Sequence, residues 1–247
     1  MTGNVGTVAL AIAAIIVAPR RMLPCRSTAA AVNLRPHAAP IYELTFINPR
    51  LLDVERSTAA SRAAIIDAAC TLFANRGYRG TSMKDIAEVL GVSAPGLYNH
   101  VTSKQDILYA IMDKAMDRAT TALDRALDGA DDVSEQLRRA TESLVLDFLR
   151  YPAEVTVCNN EVRSLEARNR VAIVAKRDRY AAKVRRIIED GHRSGRFRTP
   201  TPDLAAFAVL EMGNGAKSWF RPSGRYPDTY VARAYGEFAL SIVGCPR

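Results

Sequence analysis

The side chains most able to do chemistry lie together in residues 81–104, TSMKDIAEVLGVSAPGLYNHVTSK. Lys84, Tyr98, Asn99, His100 and Lys104 are hydrogen-bond donors, and the hydroxyls of Thr81, Ser82 and Ser93 can donate or accept. Such donors suit phosphate oxygens, the contacts that position a protein on a nucleic acid without reading its sequence. Ala94, Pro95 and Gly96, interleaved with them, are small and uncharged. The backbone there can approach base edges closely, and an apolar contact with a thymine methyl is available. This is the chemistry of recognition and not of bond making.

Two short helices and a tight turn are needed to present these residues together. Met83, Ile86, Ala87 and Leu90 follow the i, i+3, i+4, i+7 spacing of an amphipathic helix. Gly91, one residue past the last periodic leucine, can take the left-handed conformation that closes a helix. Ser93 is a good N-cap, so the second helix starts near Ala94. Thr81 or Ser82 caps the first helix and turns its N-terminal amides toward an anion. In helix, turn, helix, one helix braces on the phosphate backbone while the next enters the major groove. The same geometry occurs in helical proteins that never touch DNA, so the bare pattern leaves the function open.

Further residues narrow it. Ile86-Ala87, Gly91-Val92-Ser93, Leu97-Tyr98-Asn99-His100 and Lys104 resemble the DNA-binding domain of TetR-type transcriptional regulators. As in that family, an amphipathic helix ending in Leu72-Phe73 and Arg76-Gly77-Tyr78 precedes them, and the likeness spans residues 57–108. The resemblance implies an all-α protein with an N-terminal three-helix helix-turn-helix DNA-binding domain, residues 56–106. A C-terminal helical ligand-binding and dimerisation domain, residues 107–247, would follow. The implied partners are a double-stranded DNA operator, a small-molecule effector and a second copy of the chain, with no cofactor. The family has phenylalanine where this chain has Val101, a position that reads as a core contact and calls only for repacking.

The net charge of +8 favours a polyanionic partner or an anionic ligand. Residues 56–118 nevertheless hold eight basic side chains against six acidic ones, so most of the excess lies elsewhere. The four cysteines, Cys25, Cys70, Cys158 and Cys245, form no Cys-x-x-Cys pair and accompany no histidine cluster. Neither a metal site nor a disulfide framework is indicated, and reduced thiols in the cytoplasm fit best. Residues 1–55 stand apart. An aliphatic run at residues 8–18 precedes Arg20 and Arg21, then Pro24, Pro36, Pro40 and Pro49 with no helical or strand period. The run is too short for a transmembrane helix, and its basic pair follows the apolar core where a secretory signal would place it before. These residues read as a mis-annotated extension or a disordered arm, with a membrane anchor as the other reading; no stable membrane association is expected.

After Lys104 the pattern is helical throughout. Helices are expected at 106–127, from Ser134 as cap to 151, at 153–165, at 168–193, from Asp203 as cap through Trp219, and at 230–243. Phe207, Leu210, Val231, Tyr235, Phe238 and Ile242 give the last two an apolar stripe. The stripe either closes the intramolecular core or, as in TetR-type proteins, pairs with its mate in a twofold four-helix bundle. Phe148, Tyr151, Val162, Arg177, Tyr180, Met212 and Trp219 sit on helices expected to converge around an effector. Gly213 and Gly215 suggest a bend or a close approach there. The basic series Lys176, Arg177, Arg179, Lys183, Arg185 and Arg186 is a solvated face or, beside an apolar cavity, suits a ligand with an oily tail and a phosphate-bearing head.

Asn160-Glu161, Leu165, Arg177-Asp178-Arg179-Tyr180, Gly195-Arg196-Phe197 and Trp219-Phe220-Arg221-Pro222 are similar to the effector domains of TetR-type repressors of lipid and steroid catabolism. That implies an acyl-CoA as ligand class; a regulator of efflux sensing hydrophobic cations is the alternative. His37, His100 and His192 lie far apart, and no phosphate loop, nucleophile elbow or metal-ligand spacing occurs, so no catalytic residue is assigned.

Overall fold

The computed structural model describes residues 61–246, all as helices and connecting turns. The aliphatic run at 8–18, the expected extension at 1–55 and the first residues of the DNA-binding domain, 56–60, lie outside them. Among the described residues nine α-helices follow one another: α1 Arg62–Arg76, α2 Met83–Leu90, α3 Ala94–Leu97, α4 Lys104–Leu127, α5 Val133–Arg150, α6 Pro152–Asn160, α7 Ala167–Arg193, α8 Pro202–Trp219 and α9 Asp228–Ile242. A 3-10 turn, Val162–Ser164, joins α6 to α7. Among the described residues no helix is long and apolar enough to cross a membrane, and no metal-ligand group is gathered.

Local chemistry sets most boundaries. Ser61 caps α1, its Oγ accepting from the Ala64 N–H at 3.2 Å. Ser82 and Asp85 form a reciprocal capping box on α2. Pro152 and Pro202 occupy first-turn positions, where a missing N–H costs nothing. Two caps differ from expectation. Asp132 caps α5, its Oδ2 accepting from the N–H groups of Ser134 and Glu135, while Ser134 lies buried inside the helix. Thr201 precedes α8, which places Asp203 in its first turn. In both cases the helix starts earlier than the sequence suggested.

The helices enclose two main cores. The first joins Ile65, Phe73, Ile86, Leu97 and Leu108 of α1–α4 to Val157, Cys158, Leu165 and Ile173 from the α6–α7 region. The head, α1–α3 with the start of α4, therefore shares apolar packing with the body. Val101 is buried in it, as a core position should be. The second core, wholly in the body, holds Leu123, Leu137, Leu144, Tyr180, Ile188, Phe197 and Val209. Cys70 and Cys158 are buried free thiols, and burial pushes the Cys158 thiol up to about 12.

Helix α8 runs unbroken through both of its glycines. Gly213 is a close approach and not a bend: a Cβ there would stand 2.9 Å from the Phe148 ring, whereas a Cβ on Gly215 would meet nothing within 4 Å. Gly213→Ala is expected to destabilise the protein by about 1–3 kcal/mol through overpacking, and Phe148→Leu in the same chain to recover part of the loss. Urea unfolding at fixed protein concentration measures both.

Candidate functional site

The expected recognition surface is assembled from α2, the turn and α3. Gly91 sits in the left-handed region at φ 65°, ψ 27°, and the Val92 N–H donates to the Ala87 carbonyl at 3.0 Å to close α2. The Ser93 Oγ accepts from the Gly96 N–H at 3.3 Å. With only four residues, α3 depends on the fully buried Leu97 to fix it to the core. Ser93, Pro95, Asn99 and His100 are exposed, as is Tyr98 at 55 %. Ser82 and Lys84 are exposed at the start of α2. Lys84 and Ala94 border an open groove of about 460 Å³, with Ala87, Glu88 and Val92 as its other walls. Along α2, the turn and α3, Ser82, Lys84, Ser93, Pro95, Tyr98, Asn99 and His100 are thus exposed and Ala94 and Gly96 half-buried.

Two residues expected on this surface do other work. Thr81 is buried, 1 % exposed, and its hydroxyl donates to the Gly77 carbonyl at 3.0 Å, so it neither caps α2 nor faces outward. Lys104 turns inward: its Nζ donates to the carbonyls of Tyr78 at 2.9 Å and Thr81 at 2.7 Å, and lies 4.2 Å from the Tyr78 ring centroid. Two of its three protons are spent bracing the loop between α1 and α2, partners that local sequence does not reveal.

In the body, the expected effector residues only partly converge. Phe148, Tyr180 and Met212 share the second core, with Phe148 lying against Gly213. Tyr180 is buried, and its phenol is pushed well above the ordinary tyrosine range by desolvation and the nearby Asp147. Arg177 donates to the Cys158 carbonyl at 3.4 Å, on the α6 side. Tyr151, Val162 and Trp219 are elsewhere. The Tyr151 ring covers the Arg118 guanidinium at 3.6 Å, Val162 packs against the first core, and Trp219 is exposed at the end of α8. Half of the basic series on α7 is ion-paired. Lys176 pairs with Asp113 and Asp117, each at 2.6 Å, Lys183 with Asp124 and Arg185 with Asp203, which makes it a paired seam.

Sequence reasoning passed over Lys217. Its Nζ donates to the Thr156 Oγ1 at 2.9 Å, and burial alone lowers its pKa; among the described residues no carboxylate forms an ion pair with it. A lysine inside an apolar helical stretch was the available signal. On α8 and α9, Leu204, Trp219, Tyr230, Phe238 and Ile242 are exposed, whereas Val231 is buried within the body and cannot serve an outer surface. Phe207, Leu210 and Tyr235 are half-buried.

A capped α2, a glycine turn and a short helix that exposes donors make up a helix-turn-helix, the class of unit that DNA-binding proteins present to the major groove. Residues 65–111 match the tetR family of bacterial regulatory proteins, and residues 130–243 match the tetracyclin repressor-like C-terminal domain. The TetR-family regulator PfmR of Thermus thermophilus is 37 % identical, with 72 % of this chain and 97 % of that one covered and a TM-score of 0.64. AibR, solved with isovaleryl coenzyme A and operator DNA, is 29 % identical over 75 % of this chain and 99 % of that one, with a TM-score of 0.66. The transcriptional repressor KstR2 of Rhodococcus jostii is 25 % identical over 81 % and 99 % of the two chains. The chain belongs to the TetR family and is a DNA-binding transcriptional regulator.

Because Lys104 holds two loop carbonyls, Lys104→Ala is expected to cost the fold about 1–3 kcal/mol by leaving those acceptors without their charged donor. Tyr98→Ala, on an exposed turn, is expected to leave stability within about 0.5 kcal/mol of the native protein. Chemical denaturation followed by circular dichroism separates the two roles.

Proposed function

We propose that the protein is a homodimeric repressor that holds a palindromic operator through its two α2–α3 heads and lets go when an acyl-CoA-class effector binds the body. The observation that carries this reading is the similarity, over almost all of AibR, to a regulator whose structure contains both isovaleryl coenzyme A and operator DNA. The genes governed would serve lipid catabolism, in keeping with the residues that resemble repressors of lipid and steroid breakdown. Such a protein acts in the cytoplasm on the nucleoid, and we assign it no catalytic step.

Each proposed partner has its surface. Lys84, Tyr98 and His100 are exposed donors for phosphate, while Ala94, Pro95 and Gly96 bring small groups toward base edges. For the second copy, Leu204, Ala208, Gly215 and Trp219 line one exposed side of α8, and Tyr230, Phe238 and Ile242 one exposed side of α9. Twofold pairing of these stripes closes on itself and would space two heads for half-sites about 34–36 Å apart. For the effector, Lys217 supplies a half-buried ammonium with no carboxylate partner among the described residues, close to the α6–α8 contact, where an anionic head group would offset its desolvation.

Selection of genomic fragments by the purified full-length protein should yield a palindromic operator; binding no tighter than random competitor would overturn the reading. On that operator, Lys84→Ala is expected to reduce the slope of log Kobs against log salt by about 0.9. Calorimetric titration with CoA thioesters, free acids and hydrophobic cations should show thioester binding, weakened about tenfold or more by Lys217→Met. Binding of cations alone would point instead to an efflux-type regulator. Phe238→Glu, which sets a charge in the exposed stripe, should shift the dimer to monomer in sedimentation and abolish operator binding.

A further inference from the structure

We propose that Glu161 and Gln105 form a positioning latch that fixes the reading head to the body and transmits displacement of α6 to the start of α2. The inference rests on the regulatory reading above for its purpose, and on the geometry of the loop at residues 77–82 for its mechanism.

Tyr78 is the point of attachment. Its N–H donates to the Glu161 Oε1 at 3.1 Å, a contact bridging 83 residues of sequence. The other carboxylate oxygen of Glu161 accepts from the Ser164 Oγ at 2.7 Å, which holds the side chain in place. The Gln105 Nε2 donates both to the Tyr78 hydroxyl at 2.8 Å and to the Ser164 carbonyl at 2.7 Å, while its Oε1 accepts from the Glu166 N–H at 3.0 Å. One glutamine at the start of α4 and one glutamate past the end of α6 therefore tie the head's loop to the α6–α7 connector. Little slack remains on the head side. The Thr81 carbonyl is held by Lys104, and Ser82 is already locked into the capping box of α2.

The far side of the latch is equally committed. Helix α6 is joined by polar contacts to three other body helices: the Glu154 carboxylate to Arg118 of α4, the Cys158 carbonyl to Arg177 of α7, and the Thr156 and Asn159 side chains to Lys217 and Asn214 of α8. It is a single helix of nine residues, and Glu161 follows its last residue directly. A ligand that shifts α8 or α6 therefore pulls on Tyr78 through Glu161, beside the apolar contact that α6 already makes with α1. Hydrogen bonds suit this task because they weaken steeply with misalignment.

Hydrogen exchange and operator binding in the full-length chain test the latch together. In Glu161→Ala, amide exchange is expected to quicken about tenfold at Tyr78 and also across residues 82–85, with operator affinity about tenfold weaker. Glu161→Gln keeps an acceptor for the Tyr78 N–H and should restore both. Gln105→Ala, on the other arm, should give a milder form of the same pattern and serves if Glu161→Ala folds poorly. Transmission is read by a cycle: Glu154→Gln, which loosens α6 from α4, should quicken exchange at residues 78–85 in the native background and add nothing in the variant lacking the latch. Acceleration confined to Tyr78, or additive effects in the cycle, would overturn the proposal. If the native protein prefers no genomic fragment, the regulatory reading falls, while the exchange data still decide the latch; native binding matched by Glu161→Ala would sink the latch alone.

Discussion

Where α1 ends, the chain must cross to α2 through a partly buried loop whose backbone groups have few helical partners, and such groups cost about 1–3 kcal/mol each if left unpaired. The Tyr78 N–H is met by a carboxylate from the body, and its C=O by an ammonium from the first turn of α4. These two contacts set much of the surrounding arrangement. Gly77 has room for the Glu161 oxygen because a Cβ there would stand 3.3 Å from it, and its φ of 75° favours glycine independently. Thr81 must point inward so that its carbonyl can share the same ammonium. Ser82, next in the chain, faces outward at the start of α2.

Features that depend on neighbours within four residues were legible in the sequence. Gly91 as the stop of α2, Ser93 as the cap of α3, Pro152 at the head of α6 and the run of body helices all follow from local spacing and backbone preference. Features set by distant partners were not. Nothing near Lys104 in sequence says that its partners are carbonyls 23 and 26 residues earlier, and an exposed-looking cation beside a reading helix invites assignment to phosphate. Thr81 fails for the same reason, and so does Val231, whose place in an apolar stripe did not reveal that the stripe has an inner and an outer edge. The motif containing Glu161 was visible, but its meaning required knowing that Tyr78 stands opposite.

The basic excess of the body finds a structural use on α7. Lys176 and Lys183, two turns apart, meet Asp113, Asp117 and Asp124 on α4. Exposed ion pairs of this kind contribute about 0–1 kcal/mol each, so their value is in alignment more than stability. Lysines two turns apart on α7 that meet aspartates spaced to match on α4 favour one register over its neighbours, and that register bears on where the α6–α7 connector reaches the head. Lys217 is the contrast. Half-buried, and ion-paired with no carboxylate among the described residues, it lacks the Coulombic return that offsets desolvation on α7.

A ligand can shift an equilibrium only by the difference in its affinity for the two states, so a body that merely accommodates an effector would leave the operator bound. Something at the junction must change energy when the body changes shape. The shared core of α1, α4 and α6 is one candidate, since close packing transmits displacement, but its contacts have no preferred direction. The directed bonds at Tyr78 are a better one: a carboxylate drawn back leaves a part-buried N–H poorly paired, and the head's alternatives are then to follow or to lose that bond. In the proposed dimer, both heads would follow in opposite senses about the twofold axis, so a small movement at each Glu161 would double at the spacing of the half-sites. The apolar faces of α8 and α9 must stay fixed for this to happen, which gives the large exposed side chains Trp219, Tyr230 and Phe238 a mechanical role beside their hydrophobic one.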